Sequence, residues 1–205
     1  MNKLAIDIVL LPPKEIMDLV ISINRAAFER GKGRFKMSES DFVPHISLTI
    51  ACINEEDLNQ VIEKVNSIFK LQKPLQLKLT GIKLYERDDG KRGFITLDVS
   101  NELKNLHKSI LTSIENKLQK CTDSKMLVDG ETTGLSTTSN LIINNYKEKF
   151  AYSNYHPHIT LCSFDSDLFA KDIKFPINFT ANKLAIFQLG DGCTCRKLLF
   201  DYDLK

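Results

Sequence analysis

The sequence predicts a mixed helix-and-strand protein built as an internal duplication. Three observations carry this reading. The order strand, helix, strand, helix, strand restarts after Arg87-Asp88-Asp89-Gly90. Helical and alternating apolar patterns of matching kind occur in both halves. A five-residue motif also recurs, as Pro44-His45-Ile46-Ser47-Leu48 and Pro157-His158-Ile159-Thr160-Leu161. The half-repeats cover about 1–88 and 89–205 of a 205-residue chain.

Residues 4–11 are a nearly continuous apolar run, expected as a buried strand interrupted only by Asp7. Pro12 and Pro13 suit a helix entry. Ile16, Leu19, Val20, Ile23 and Ala27 then recur at helical spacing, with Gly31 as the stop. A loop over 32–41 leads to a strand expected at 42–50. Asn54 is placed to cap a helix whose first turn holds Glu55, Glu56 and Asp57, favourable to the helix dipole. The alternation of Leu75, Leu77 and Leu79 with Gln76 and Lys78 marks a strand over 75–85. The second half repeats the pattern: a strand at 93–99, a helix at 101–120, a strand at 158–163 and a short helix at 167–171. Two last strands, at 175–189 and 194–202, flank the hairpin signal Gly190-Asp191-Gly192. From first strand to motif the second half is about two dozen residues longer. The surplus lies within 121–155, rich in Ser, Thr, Asn and Gly, and reads as an insertion outside the core.

Composition narrows the function. With 28 Lys+Arg against 26 Asp+Glu, the chain has neither a polybasic coat for nucleic acid nor an acidic tail. The opening apolar run is too short to span a membrane and lacks a small-residue cleavage site, so it reads as a strand and not a signal peptide. Asn178-Phe179-Thr180 fits a glycosylation sequon, a pattern that chance supplies often. The five cysteines, odd in number and without a C-x-x-C, are expected to be reduced and structural, in a cytoplasmic protein.

The repeated motif carries the chemistry. Residues i and i+2 of a strand share a face, so His45 stands beside Ser47 and His158 beside Thr160. Ile46, Leu48, Ile159 and Leu161 face the other way, into a core. If a pseudo-twofold relates the halves, two imidazoles and two hydroxyls converge on one cleft. That set suits displacement at phosphorus: one imidazole takes a proton from the nucleophile, the other protonates the leaving oxygen, and the hydroxyls hold non-bridging oxygens. No metal is required, and no carboxylate cluster is evident near either motif.

Paired His-x-Ser/Thr motifs with these flanking hydrophobics resemble the 2H phosphoesterase superfamily, which includes 2′-5′ RNA ligase-like proteins and cyclic nucleotide phosphodiesterases. The resemblance implies a single bilobal α+β domain over 1–205, with two antiparallel sheets lining a central cleft and helices outside. It also implies acid/base roles for His45 and His158 and phosphate binding by Ser47 and Thr160. Gln188-Leu189-Gly190-Asp191-Gly192 with Arg196-Lys197 resembles the closing hairpin of bacterial relatives. In one departure, Cys162-Ser163-Phe164 stands where many RNA ligase-like members place an Arg.

The expected activity is a metal-independent phosphodiesterase acting on 2′,3′-cyclic phosphates of nucleotides or RNA ends. A 2′-5′ linkage is the alternative substrate, and a non-catalytic nucleotide-binding module the alternative of another class. No cofactor is expected. The expected partner is a nucleotide or short RNA, with neither DNA nor membrane, and the chain is expected to be a monomer. Possible substrate contacts are Arg34 and Lys36 before the first motif and Tyr152, Tyr155 and His156 before the second. The tyrosines are candidates for base stacking. His107, on the apolar face of its helix, is expected as a partly buried residue at the core edge.

Overall fold

A computed structural model describes residues 2–87, 90–121, 123–128, 135–162 and 173–205. The elements run β1 (Lys3–Leu11), α1 (Lys14–Glu29), β2 (Ile46–Asn54), α2 (Leu58–Phe69), β3 (Leu75–Arg87), β4 (Gly90–Leu97) and α3 (Asn101–Ile114). There follow α4 (Thr137–Asn145), β5 (His158–Cys162), β6 (Ile177–Ala181), β7 (Lys183–Gly190) and β8 (Thr194–Asp203). The expected helix at 167–171, and part of the expected turn at 87–90, lie outside the described residues.

Two four-stranded antiparallel sheets form, in the orders β2-β1-β7-β8 and β5-β4-β3-β6. The α+β architecture expected from the sequence is therefore present, with an exchange that periodicity alone did not reveal. β3, from the first half, lies in the second sheet, while β7 and β8 complete the first. The single strand expected at 175–189 is accordingly two. It breaks at Asn182, whose carbonyl accepts Leu204 N–H at 2.7 Å, and the chain crosses from the second sheet to the first.

One core joins both sheets to the helices. Ile16, Val20, Ile23 and Ala27 of α1 meet it, as do Val61, Val65 and Phe69 of α2 and Leu103, Leu106, Ile110 and Ile114 of α3. Gly31, at φ +68°, ends α1 as expected; Gly31 and Lys32 N–H donate back to Phe28 and Ala27 carbonyls. Two boundaries differ from expectation. β2 starts at Ile46 and not near 42, because Phe42 has φ +48° and Pro44 offers no N–H. α3 stops at Ile114, a short 3₁₀ turn follows, and Gln119 N–H then bonds Cys52 carbonyl at 2.8 Å, drawing the chain along β2.

The segment 121–155 was expected outside the core and is instead part of a second one. Cys121, Met126, Leu127, Ile143, Tyr146 and Ala151 are buried against Ala5, Val9, Ile50 and Cys52 on the other face of the first sheet. Large apolar side chains buried this fully contribute about 1.5–3 kcal/mol each, so this is structural packing. The polar run 136–140, read as loop, instead starts α4: Ser136 caps it by accepting Ser139 N–H.

The expectation that all five cysteines are reduced also fails. Cys52 and Cys121 form a disulfide, with Cα atoms 5.9 Å apart and a sequence separation of 69. Sequence spacing could not reveal the pair, because only the fold brings β2 against the start of the insertion. Cys193 and Cys195 are free and buried. Replacing both Cys52 and Cys121 with Ala is expected to lower stability by about 2–4 kcal/mol. Denaturant unfolding checks this, and adding reductant to the wild type should reproduce the shift.

Candidate active site

The two motif strands, β2 and β5, are edge strands of different sheets. Each contains a bulge at the same motif position. On β2, Val9 pairs with Ser47 and Ile8 with Thr49, which leaves Leu48 as the extra residue. On β5, Phe94 pairs with Thr160 and Gly93 with Cys162, which leaves Leu161 extra. A bulged residue drops out of ladder pairing, so its carbonyl needs another donor.

Each carbonyl takes a donor from the opposite half, and Leu48 carbonyl also accepts Thr49 Oγ–H at 2.7 Å and Tyr146 O–H at 3.2 Å. His107 Nδ1 of α3 donates to Leu48 carbonyl at 2.6 Å, and Asn24 Nδ2 of α1 donates to Leu161 carbonyl at 3.1 Å. Both side chains are buried. Each also fixes the loop before its own half's motif. Asn24 Oδ1 accepts Met37 N–H at 2.8 Å, and His107 Nε2 accepts Tyr152 N–H at 3.0 Å. His107 is thus a fully buried hub and not a core-edge residue. Its two bonds define a neutral ring, and burial lowers its pKa from the ordinary 6.5 against the opposing Leu48 hydrogen bond.

The motif histidines are held alike. His45 Nδ1 donates to Val43 carbonyl at 2.7 Å, and His158 Nδ1 to His156 carbonyl at 2.9 Å, two residues back in each case. A carbonyl only accepts, so each Nδ1 carries hydrogen and each neutral ring keeps its lone pair on Nε2. Ile46, Leu48, Ile159 and Leu161 are all fully buried in the shared core, which sets their alternates on the other face. His45 and His158 are near enough to interact. Burial first, then the charge of His158, hold His45 down to about 4 against the raising effect of Val43 carbonyl.

The surroundings of the two histidines differ. On the first sheet, Asp7 is fully buried; its Oδ2 accepts Ser47 Oγ–H at 2.6 Å and lies 3.5 Å from His45 Nε2. Burial raises the Asp7 carboxyl well above its usual range, outweighing the Ser47 hydrogen bond. With one group pushed up and the other down, Asp7 and His45 make a neutral contact and not an ion pair. By register, the position of Asp7 corresponds to Arg92 in the second half. Lys83, Tyr85, Arg92 and Phe94 share the face of β3 and β4 that carries His158. Phe94 meets the His158 ring edge-on at 4.4 Å, and Tyr85, half exposed, meets Phe94 at 5.3 Å.

The remaining expected contacts fall elsewhere. Tyr155 is buried, stacked on His107 at 4.1 Å, with its hydroxyl donating to Ser47 carbonyl at 3.0 Å. It supports the first motif and has no face open for a base, contrary to expectation. Tyr152 is partly exposed but sits edge-on to His107. The His156 ring is exposed, and its backbone carbonyl is what orients His158. Arg34 pairs with Asp191 at 2.7 Å and so ties its loop to the β7–β8 hairpin. Lys36 lines an open groove with Asp18, Arg25 and Asp41, which none of the four motif side chains reaches. Arg196 bonds Asp41 and covers the Phe42 ring at 4.0 Å, bracing the approach to His45.

Sequence reasoning missed Asp7, Asn24 and Phe94. A charge inside an apolar strand and a polar residue on an apolar helix face were the available signals for the first two. For metal binding, Asp7, His45 and Cys195 each offer a ligand atom, all within 4.8 Å of one another. The expectation concerned a carboxylate cluster; the single carboxyl that lies there, Asp7, is distant in sequence and adjacent in the sheet.

Residues 32–192 match the 2′-5′ RNA ligase superfamily. The chain belongs to that superfamily. Its membership in the 2′-5′ RNA ligase superfamily, a group of 2H phosphoesterases, supports an enzyme of phosphodiesterase type. No curated protein sequence matches. Among solved structures, TT0787 of Thermus thermophilus is similar at a TM-score of 0.62 and 13% identity, covering 98% of both chains. E. coli LigT complexed with NADP+ gives a TM-score of 0.59 at 14% identity, covering 100% of this chain and 99% of LigT. These likenesses show a shared fold.

Asn24→Leu removes the bonds to Leu161 carbonyl and Met37 N–H, and His107→Phe removes the acceptor of Tyr152 N–H and one of three donors to Leu48 carbonyl; each is expected to cost on the order of 1–3 kcal/mol. Because the folded His107 pKa lies below 6.5, its contribution to stability is full above 6.5 and declines as pH falls toward the folded value. Unfolding measured from about pH 8 to pH 5 should show a shallower acid decline in His107→Phe than in wild type.

Proposed function

We propose that the protein hydrolyses 2′,3′-cyclic phosphates of nucleotides or RNA ends by two-histidine acid/base catalysis, without metal or cofactor. The observation that carries this reading is the matched pair of imidazoles. Each has Nδ1 tied to the carbonyl two residues back, which makes Nε2 the basic nitrogen of each ring. His45, held near 4, is neutral at ordinary pH and suits the base. Its Nε2 takes a proton from water as the water oxygen bonds phosphorus. The bond to the 2′ or 3′ oxygen breaks, and that oxygen receives the His158 Nε2 proton, giving a phosphomonoester and a free hydroxyl.

Ser47 and Thr160 hold the non-bridging oxygens. A neutral Asp7 carboxyl can donate to Ser47 Oγ, which frees the hydroxyl proton of Ser47 for phosphate. Tyr85 and Phe94 offer aromatic surface to the base, with Lys83 and Arg92 on the same face; stacking of this kind contributes about 1–3 kcal/mol per base. Solved structures of E. coli LigT complexed with ATP and with 3′-AMP support a nucleotide ligand for this fold. The family's name favours a second substrate, a 2′-5′ linkage, with the neighbouring 3′ hydroxyl as nucleophile. Among the described residues no helix is long and apolar enough to cross a membrane. The proposal includes a monomer acting in the cytoplasm on nucleotides or short RNA and not on DNA.

A panel of 2′,3′-cyclic nucleotides and 2′-5′ dinucleotides, assayed with excess EDTA, tests the reading. Turnover should survive the chelator, and His45→Ala and His158→Ala should each lower kcat by about 10²–10⁴-fold. Binding without turnover of either substrate class would favour the non-catalytic module. In the kcat/KM profile, His45 must be neutral to act, so activity should rise with pH through a midpoint at about 4. It should fall again at higher pH as His158 loses its proton.

A further inference from the structure

We propose that Asp7, His45 and Cys195 form a binding site for a soft divalent cation of the zinc class, and that its occupancy blocks the reaction. Three strands supply the ligands: Asp7 from β1, His45 at the entrance to β2 and Cys195 from β8. Val43 holds two of them together, since its N–H donates to Cys195 carbonyl at 3.0 Å and its carbonyl accepts from His45 Nδ1 at 2.7 Å.

The donor set is one nitrogen, one sulfur and one oxygen, the ligand types zinc takes in tetrahedral sites. All three ligand atoms lie within 4.8 Å of one another. Zn–N and Zn–O bonds of about 2.1 Å make a tetrahedral edge of about 3.4 Å. His45 Nε2 and Asp7 Oδ2 are already 3.5 Å apart.

Two further features favour a metal. Nδ1 of His45 donates to a carbonyl, which leaves Nε2 as a lone pair and fixes the ring in the manner of metal-bound histidines. Asp7 Oδ1 is buried without a hydrogen-bond partner among the described residues. A cation gives that carboxylate the counter-charge its surroundings lack, while Ser47 Oγ–H stays on Oδ2 as an outer partner. Asp7 and Cys195 are fully buried, whereas the His45 side chain is 13% exposed, so entry and a fourth, water ligand come from the cleft. Binding displaces the Cys195 thiol proton and the Asp7 carboxyl proton to solvent and forms metal–sulfur, metal–nitrogen and metal–oxygen bonds, with no redox change.

Inhibition follows because the metal takes Nε2 of His45, the atom assigned as base; that part rests on the proposed hydrolytic reading, and binding itself does not. Titration of the folded protein with Co²⁺ should give a 1:1 complex with a thiolate-to-cobalt band, displaced by Zn²⁺. Cys195→Ala, or Cys195→Ser if the alanine variant unfolds, should lose the band and weaken binding at least about tenfold, while Cys193→Ala keeps both. In assays, Zn²⁺ should inhibit wild type reversibly and leave Cys195→Ala active. No thiolate band in folded wild type, or the same band in the Cys195 variants, would overturn the site. A band together with an inactive wild type would count against the hydrolytic reading and for the site.

Discussion

Everything at the site depends on two backbone carbonyls, those of Leu48 and Leu161. Each belongs to the residue that closes a motif, and each drops out of its ladder at a bulge. A buried carbonyl left without a donor costs about 1–3 kcal/mol, so the fold must supply one. It does so across the pseudo-twofold, from His107 to Leu48 and from Asn24 to Leu161. At Leu48 the neighbouring Thr49 Oγ–H adds a bond at 2.7 Å and Tyr146 O–H one at 3.2 Å. The exchanged strands β3 and β7 make the same demand at the level of the sheets. The two motif strands are therefore placed relative to each other by hydrogen bonds that exist only when both halves are assembled.

The same economy of backbone contacts orients the two motif imidazoles. Val43 and His156, two residues before the histidines, contribute carbonyls and not side chains. This is why Val43 and His156 can differ so much in chemistry while occupying equivalent places. Where side chains do matter, the halves have diverged. Asp7 beside Ser47 answers to Arg92 in the other half, so one wall of the site is a buried carboxyl and the other has a cation, Tyr85 and Phe94 on its face.

Much of this was legible in the sequence, and what was not has a common cause. Period-two alternation set His45 with Ser47 and Ile46 with the core, and helical spacing found α1, α2 and α3, because those patterns are local. The bulges were invisible because Leu48 and Leu161 read as ordinary core residues. Asn24 and His107 were hidden for the reverse reason: their value lies in partners 137 and 59 residues away. The Cys52–Cys121 disulfide, the exchange of β3 and the break at Asn182 are likewise properties of tertiary assembly. Tyr155 misled because a tyrosine beside a motif suggests a base platform, whereas Phe94 does meet the His158 ring and looked like one more apolar strand residue.

The inserted segment explains how a duplicated site becomes an asymmetric one. It occurs only in the second half, yet its buried residues pack on the face of the first sheet that carries Ala5 and Val9. Burial lowers the His45 pKa and raises that of Asp7, so both are held toward their neutral forms. The first half carries no matching insertion, and the corresponding face of the second sheet keeps Tyr85 and Lys83 exposed. Two histidines with one backbone geometry thus meet different dielectric surroundings. A symmetric pair would titrate alike and could not favour one ring as base and the other as acid. Covering one wall and opening the other separates them, and the open wall carries the aromatic rings of Tyr85 and Phe94.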